Sequence, residues 1–320
     1  MPTTRVSKPK TISPSEAKLA SIRQSFGDTL YELGSIMPDL YVVSMDLRES
    51  MRLSRFANKF RSRFIECGVA ENNAAGVAAG LAKAGKTVFI ASFACFSPGL
   101  NWSTLRESIC YNNANVKIVG GYAGLMAGVL GATHQMLEDV SLVRSLPNME
   151  VFSPIDAIET AKVVKAIART KTPAYLRIVA PETPLVFPQK LAFTIGKSHV
   201  LQKGTSVTIL GHGPILTSAF SIKKPSLEIV NCSSIKPLDE ATILASVKKT
   251  GRCIVIEDHQ KNGGLGEAVA SLILTSGLKC KFVHLAVNNQ FGQSGKDYQQ
   301  LFSHYHIGQK DLETAIKKIL

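Results

Sequence analysis

Long apolar runs are absent from this sequence of 320 residues. No window holds the ~18 uninterrupted apolar residues that a membrane-spanning helix needs, so we expect no membrane anchor. The N-terminus, MPTTRVSKPKTISPSEAK, is basic and rich in Pro, Ser and Thr, but it has no apolar middle section of the kind found in secretory signals. We interpret residues 1–15 as a flexible basic tail and expect a cytoplasmic protein, with an organelle transit peptide as the alternative.

Paired cysteines are also absent. The six cysteines are scattered without any CxxC spacing, at Cys67, Cys95, Cys110, Cys232, Cys253 and Cys280. This distribution indicates neither a zinc site nor a dense disulfide framework, and it is typical of reduced cytosolic thiols. We therefore assign no metal ligand in this chain.

Acidic residues are fewer than basic ones, with 24 Asp and Glu against 37 Lys and Arg and a formal charge of +13. Such an excess favours a polyanionic partner, but no nucleic-acid recognition motif accompanies it, so nucleic acid is not expected. Part of the charge lies in the tail and part in a cluster between Arg48 and Arg63. The cluster is either a solvated basic face or a positive field that attracts small phosphate-bearing anions or an acidic subunit.

Apolar runs alternate with helical patterns along the whole chain, a pattern typical of parallel strands connected through helices. The first block has predicted strands at 40–45, 64–67, 87–93, 117–121, 150–154 and 174–177, and predicted helices at 16–34, 72–85 and 156–169. The second has predicted strands at 206–210, 227–230, 252–256 and 281–285, and predicted helices at 239–250 and 266–276. Between them the periodicity is lost and prolines gather. We predict an α/β fold of two consecutive domains with mostly parallel sheets, 16–182 and 205–320, joined by a linker at 183–204.

Candidate site residues follow from this pattern, because ligands of open α/β sheets bind beyond the carboxyl ends of the strands. Asp46 ends one predicted strand, and Ser50 follows it. Glu71 opens a helix rich in Ala and Gly, and as a first-turn acid it also suits the helix dipole. Phe93 and Phe96 leave another strand, where aromatic residues usually belong to the core.

Two glycine-containing segments complete the candidates. The run GGYAGLMAGVLGATHQ can approach a ligand closely with its backbone and ends in His134 and Gln135, although a histidine there is also typical of an ordinary loop. The segment EDHQKNGGLGEA, at 257–268, opens a predicted helix but matches neither GxGxxG nor a P-loop. Its phosphate-binding potential is correspondingly weak.

One segment is especially specific, HQMLEDVSLVRSLPNMEVFSPID at 134–156. Together with SIRQSFGDTLYELG, VVSMDLRES, ECGVAENNAAGVAAGLA, SFACFSPG and EDHQKNGGLGEAVA, it resembles the C-terminal part of transketolase, or the separate small subunit of a split transketolase. The resemblance runs from about residue 20 to the end. It implies that 16–182 is the pyrimidine-binding domain of a thiamine diphosphate enzyme and that 205–320 is a transketolase C-terminal-like domain.

The resemblance also implies roles at the cofactor. Glu71 stands where the family has the catalytic glutamate that hydrogen-bonds N1′ of the aminopyrimidine, and a carboxyl there favours the tautomer that accepts the C2 proton. Phe93 and Phe96 match the aromatic positions that line the pyrimidine. Asp46 matches an acid near the thiazolium.

The implied substrate contacts come from three other residues. Arg23 and Ser50 fall where the family contacts the phosphate end of a sugar phosphate. His134 matches a catalytic histidine that contacts the substrate's oxygens. All three are therefore candidates for binding phosphorylated sugars.

The sequence departs from the family at the substrate. Val129 and Leu130 replace an acidic pair, and an aliphatic side chain cannot accept a hydrogen bond from a substrate hydroxyl. Tyr122 replaces a second histidine, and Ala180 replaces a phosphate-binding arginine. Gly99 replaces a third pocket aromatic. We expect altered recognition of the donor and acceptor sugars.

The GDG…N segment that holds Mg²⁺ and the diphosphate in this family is not found, and the chain has no room for that domain. The resemblance therefore implies an obligatory N-terminal diphosphate-binding subunit that carries the Mg²⁺. It also implies a heterotetramer built around a homodimer of this chain, which alone is expected to be inactive. The expected reaction is transfer of a two-carbon ketol unit. The alternatives are a decarboxylating relative, of the deoxyxylulose-phosphate synthase or 2-oxoacid dehydrogenase β-subunit type, and a non-catalytic homologue.

Overall fold

Residues 17–320 are described by the computed structural model, and the tail predicted at 1–15 lies outside them. The strands are β1 (Leu19–Ser21), β2 (Leu40–Ser44), β3 (Phe64–Glu66), β4 (Thr87–Phe93), β5 (Val116–Gly121), β6 (Glu150–Phe152), β7 (Ala174–Arg177), β8 (Glu182–Pro184), β9 (His199–Gln202), β10 (Val207–Gly211), β11 (Leu227–Asn231), β12 (Ser234–Lys236), β13 (Arg252–Gln260) and β14 (Lys281–Val287). The α-helices are α1 (Ile22–Ile36), α2 (Ser54–Lys59), α3 (Glu71–Lys83), α4 (Trp102–Thr104), α5 (Asp139–Arg144), α6 (Ala157–Ile167), α7 (Ser218–Ser221), α8 (Glu240–Thr250), α9 (Leu265–Thr275), α10 (Tyr298–His304) and α11 (Gln309–Ile319). A π-helix, Leu105–Tyr111, continues α4, and short 3₁₀ turns cover Arg61–Arg63, Leu125–Leu130 and Pro214–Thr217.

Two mostly parallel sheets form the framework, which confirms the predicted α/β class. The first sheet has the order β12-β6-β7-β5-β4-β2-β3, and the second has the order β14-β13-β10-β11-β9. In these two sheets, as described for residues 17–320, only the edge strands β12 and β9 run antiparallel to their neighbours. Because β2, β4 and β5 are parallel neighbours, their carboxyl ends meet at one edge of the first sheet.

Helix α1 places the first candidate residue at that edge. It begins at Ile22 rather than near residue 16, because Ser21 caps it by accepting a hydrogen bond from the Gln24 N–H. A Cβ at Gly27 would lie 2.1 Å from the Arg52 carbonyl oxygen, so only glycine lets the helix approach the loop after β2 this closely. Arg23, one turn earlier, is thereby brought beside Ser50.

The range predicted as a linker, 183–204, contains ordered strands. Strand β8 pairs with β1, and β9 pairs with β11 of the second sheet. In addition, β12 leaves the second half of the chain and joins the first sheet beside β6. The two halves therefore share a sheet, and the division at 183–204 stays a prediction.

A buried ion pair lies where the two halves meet. The Arg177 Nε donates to Asp139 Oδ2 at 2.8 Å, and both side chains are almost fully inaccessible. The Tyr175 hydroxyl donates to the same carboxylate at 2.8 Å, and Arg177 Nη2 donates to the Asp258 carbonyl at 2.7 Å. Since Asp258 belongs to β13, this pair joins the first sheet to the second.

A second buried carboxyl makes the same connection from α6. Glu159 accepts hydrogen bonds from Asn231, Ser233 and the Ile155 N–H. Burial raises the pKa of Glu159 to about 7 despite these three donors. The domains therefore meet through hydrogen bonds between buried polar groups as well as through apolar contacts.

Within residues 17–320 no helix is both long and apolar enough to cross a bilayer. The same residues contain no group of three or more His, Cys, Asp or Glu side chains arranged to hold a metal ion. The six cysteines are all free thiols.

Candidate active site

The candidate residues meet at the carboxyl edge of the first sheet. Phe93 ends β4 and lies beside Gly121, the last residue of β5, and Tyr122 follows directly. Strand β2 ends beside Ala91 of β4, so Asp46 leaves the sheet at the same edge. The topology thus places three strand ends side by side.

An aromatic cluster occupies this edge. The Phe93 and Phe96 rings are nearly parallel, with an interplanar angle of 15° and centroids 6.0 Å apart. His134 meets the Phe96 ring edge-on at 5.4 Å, and Tyr122 lies 4.2 Å from Phe93. The structure therefore brings His134 to the two phenylalanines, and it adds Tyr122, which the sequence marked only as a departure.

A tight turn after β4 sets the direction of Phe96. The Ser97 N–H donates to the Phe93 carbonyl at 2.9 Å, and the Gly99 N–H donates to the Ala94 carbonyl at 3.1 Å. A Cβ at Gly99 would lie 1.9 Å from the Cys95 carbonyl oxygen. This backbone has no room for a side chain at position 99, which explains why no third aromatic residue stands there.

Glu71 is the first residue of α3, near the turn after β4 that carries Phe93 and Phe96. Its backbone carbonyl accepts a hydrogen bond from Asn101 at 3.2 Å, which ties the helix to the segment that follows the turn. The residue is 8% exposed, and no group of residues 17–320 forms a hydrogen bond or ion pair with its carboxylate. A carboxyl group in the first turn of a helix lies near the positive end of the helix dipole.

Cys95 shows how close this carboxylate lies to the aromatic turn. Burial, with a smaller contribution from the negative charge of Glu71, raises the pKa of the Cys95 thiol to about 11. The thiol is therefore protonated near neutral pH and is a poor nucleophile. Glu71 is therefore a carboxyl group whose charge reaches this turn.

Arg23 makes four hydrogen bonds to three protein acceptors. Its Nε and Nη2 donate to the Ala180 carbonyl at 3.0 and 2.8 Å, and its Nη1 donates to the Ser50 carbonyl at 2.8 Å and the Tyr122 hydroxyl at 2.6 Å. The guanidinium also lies 4.5 Å from the centre of the Tyr122 ring. A guanidinium has five N–H donors, so one remains for a ligand.

The comparisons with known proteins decide the family. Residues 18–184 match the transketolase pyrimidine-binding domain, and residues 196–312 match the transketolase C-terminal domain. The chain belongs to the transketolase family. A protein of Methanocaldococcus jannaschii described as a transketolase C-terminal section is 39% identical over 307 residues, 93% of this chain and 95% of that protein.

Two further relatives are similar along nearly their whole length. One of the subunits of the apulose-4-phosphate transketolase of Phocaeicola vulgatus is 33% identical, over 93% of this chain and 97% of that relative. A solved structure described as "Split gene transketolase, inactive beta4 tetramer" is 37% identical, with a TM-score of 0.86 over 94% of this chain and 98% of that one. The chain therefore corresponds to the C-terminal section of a split transketolase.

Asp46 lies beside the aromatic cluster of this transketolase chain rather than inside it. Its φ is 59°, a left-handed conformation that non-glycine residues seldom adopt, and its N–H donates to Glu66 Oε1 at 2.7 Å. Asp46, Glu66, Ser50 and Arg48 border one cavity of about 300 Å³. Ser50 contributes its carbonyl to Arg23, so its contact with Arg23 is made by the backbone.

The basic cluster between Arg48 and Arg63 is partly engaged within the protein. Arg48 pairs with Glu49, and Arg55 pairs with Asp28. Arg63 donates to the Met37 and Gly34 carbonyls and stacks on Phe60.

Burial, with a smaller contribution from the charge of Arg52, lowers the pKa of Arg23. Arg52 is thus the member of the cluster that adds positive field at Arg23.

The segment 257–268 does not form a phosphate cradle. The Glu257 carboxylate accepts the Leu265 and Gly266 N–H groups at the start of α9, both at 2.8 Å, and it also contacts His212 and His284. A side-chain carboxylate therefore occupies the position where an anion would bind at this helix N-terminus.

Proposed function

We propose that this chain is the small, pyrimidine-binding subunit of a split transketolase-type enzyme that uses thiamine diphosphate and transfers a two-carbon ketol unit between sugar phosphates. The observation that carries the proposal is the unpartnered Glu71 carboxylate at the start of α3, close enough to the turn of Phe93 and Phe96 for its charge to act on Cys95 of that turn. An apolar aromatic face next to a free carboxylate suits a planar ring that carries a basic nitrogen. These residues therefore fit the aminopyrimidine end of the cofactor.

Each residue then has a distinct task. Thiamine diphosphate supplies the nucleophilic carbon and the electron sink that cleavage of a carbon–carbon bond requires. Glu71 would hold a proton at a hydrogen bond to the pyrimidine N1′, and the phenylalanine rings would keep water from that contact. His134 Nδ1 pairs with the Thr133 hydroxyl at 2.8 Å, which leaves Nε2 to hydrogen-bond a substrate oxygen.

The second half of the site comes from a partner in this proposal. A diphosphate-binding N-terminal subunit holds Mg²⁺ and the diphosphate, and two copies of each subunit form a heterotetramer around a homodimer of this chain. The name of the split-gene neighbour supports this arrangement, because its tetramer of β chains is described as inactive. The cytoplasmic location expected from the sequence stays a prediction.

The substrate end differs from that of typical members. Leu130 packs against the core and Ala180 gives Arg23 only a carbonyl, so hydroxyl and phosphate contacts must come from other groups. Phosphorylated sugars remain the proposed class, and apulose-4-phosphate appears in the name of one similar protein. The donor and acceptor need not be the common pentose phosphates.

The proposal is tested by mixing the chain with a diphosphate-binding subunit, thiamine diphosphate and Mg²⁺. Ketol transfer from a ketose phosphate to an aldose phosphate is the expected result. Leu130 also suits a decarboxylating donor, and pyruvate consumption with release of carbon dioxide would establish that reaction instead. Binding of the cofactor with neither ketol transfer nor decarboxylation would overturn both proposed reactions.

Tyr122→Phe tests the substrate end. Removing the hydroxyl frees one N–H of Arg23 while keeping the ring beside Phe93. Because a charge-assisted hydrogen bond contributes about 1.5–3 kcal/mol, we expect the KM for a ketose phosphate to fall by roughly 10- to 150-fold in the assembled enzyme. Tyr31→Phe is the matched control, since Tyr31 lies under Arg55 away from the site. An unchanged or raised KM would show that Arg23 does not face the phosphate.

A further inference from the structure

The segment that carries His134, residues 124–137, is held in shape by contacts with residues outside it. Three of its glycines, Gly124, Gly128 and Gly131, have positive φ values of 73°, 63° and 69°. One internal backbone hydrogen bond, from the Gly124 N–H to the Met136 carbonyl at 2.9 Å, closes the segment, and the others are short-range, such as those from the His134 and Gln135 N–H groups to the Gly131 carbonyl. Such a segment has little local stability by itself.

A loop of the C-terminal domain, residues 288–297 between β14 and α10, contacts this segment directly. The Ser294 hydroxyl donates to the Val129 carbonyl at 2.8 Å, and the Gly295 N–H donates to the Gly128 carbonyl at 3.2 Å. We call residues 288–297 the clamp loop. It is anchored in turn, because the Tyr305 hydroxyl donates to the Phe291 carbonyl at 2.8 Å.

Gln135, the residue next to His134, links the segment to the clamp loop. Its buried Nε2 donates to the Gly128 carbonyl and to the Gln293 carbonyl of the clamp loop, both at 2.9 Å. A Cβ at Gly292 would lie 2.0 Å from Gln135 Oε1, so a side chain at position 292 would displace this amide. The amide therefore fixes the segment on one side and the clamp loop on the other.

Strand β13 holds both ends of the segment. Asp258 Oδ1 accepts the Leu125 N–H at 2.9 Å, and the Gln260 N–H donates to the Leu137 carbonyl at 2.8 Å. A Cβ at Gly124 would lie 2.2 Å from Asp258 Oδ2. Residues of the C-terminal domain thus contact the His134 segment at its start, middle and end.

We propose that the clamp loop and Asp258 position His134 for substrate, so that the C-terminal domain sets substrate affinity. In the described structure the clamp loop and Asp258 are not part of the aromatic cluster. They act on the site through the His134 segment and are therefore positioning residues. The effect on substrate rests on the function proposed above. An ordered segment presents His134 without a further loss of conformational entropy on binding, whereas a loosened one must be ordered by the substrate.

The clamp is tested first without catalysis, by hydrogen–deuterium exchange of the isolated chain. Ser294→Ala removes one hydrogen bond from an exposed side chain, and Gln135→Met removes two while keeping the shape. Since one hydrogen bond contributes about 0.5–1.5 kcal/mol, the amides of 125–135 should exchange roughly 3- to 10-fold faster in Ser294→Ala and faster still in Gln135→Met. Ser303→Ala is the matched control, because that exposed hydroxyl bonds only within α10. Unchanged exchange in both variants would overturn the clamp.

Kinetics of the assembled enzyme test the positioning. Ser294→Ala should raise the KM for the sugar substrate by roughly 3- to 10-fold with little change in kcat, and Ser294→Thr, which keeps the hydroxyl, should restore it. Faster exchange with an unchanged KM would overturn the positioning role. Absence of ketol transfer in the wild-type mixture would overturn the proposed function, and the exchange result would still decide the clamp.

Discussion

The Glu71→Gln variant is expected to assemble normally and to lose roughly 10²- to 10⁴-fold in kcat, the usual contribution of a positioned general acid or base. An amide keeps the shape of the side chain but could not hold the proton that the proposed role gives to the carboxyl group at the pyrimidine nitrogen. The carboxylate has no partner within the described residues, so no structural contact is lost. The measurement is kcat for ketol transfer in the assembled enzyme, together with the melting temperature of the variant.

Glu240→Gln is the matched control. Glu240 is the first residue of α8, as Glu71 is of α3, and it lies exposed in the other half of the chain. If Glu71 only stabilised its helix through the dipole, both variants would lose about 0.3–1 kcal/mol of stability and neither would lose activity. Equal kcat values for the two variants would reject the catalytic role of Glu71.

Arg177→Met is expected to cost about 3–5 kcal/mol in the free energy of unfolding, because it leaves Asp139 as a buried charge without a counterion. The Tyr175 hydroxyl alone would then face that carboxylate. The loss should appear in urea unfolding at fixed protein concentration. The variant should also weaken the contact between the two sheets, since Arg177 donates a hydrogen bond to the Asp258 carbonyl of the second sheet.

Arg55→Met provides the comparison. Arg55 forms an ion pair with Asp28, but both side chains are more than a third exposed. Exposed pairs contribute about 0–1 kcal/mol, so this variant should remain close to the wild type. Equal losses in the two variants would show that the Arg177 pair does not hold the domains together.

The central strands could be predicted from the sequence because each is an apolar run, although β13 continues four residues beyond its predicted end, to Gln260. Strand β4 has the predicted bounds, and β2, β5 and β7 differ by one residue at most. The strands β1, β8 and β12 could not be predicted, since their pairing partners are distant in the chain, whereas β3 and β6, which are equally short, could be predicted from their apolar residues. The α/β class therefore follows from local pattern, whereas the strand exchange between the halves does not.

The candidate site shows the same division. The resemblance assigns Phe93 and Phe96 to the cofactor and His134 to the substrate, and the structure brings these three rings together. The engagement of Arg23 could not be foreseen, because two of its three acceptors are backbone carbonyls, at Ala180 and Ser50. Backbone acceptors leave no signature in a sequence. The roles of the individual site residues stay predictions.

Titration calorimetry of thiamine diphosphate with Mg²⁺ tests the central claim most directly. Three samples are compared: this chain, a diphosphate-binding subunit, and their mixture. If this chain supplies only the pyrimidine half of the site, the mixture binds the cofactor at least roughly tenfold more tightly than either subunit, a difference of about 1.4 kcal/mol. Binding by this chain alone that matches the mixture, or no binding by the mixture, would contradict the account.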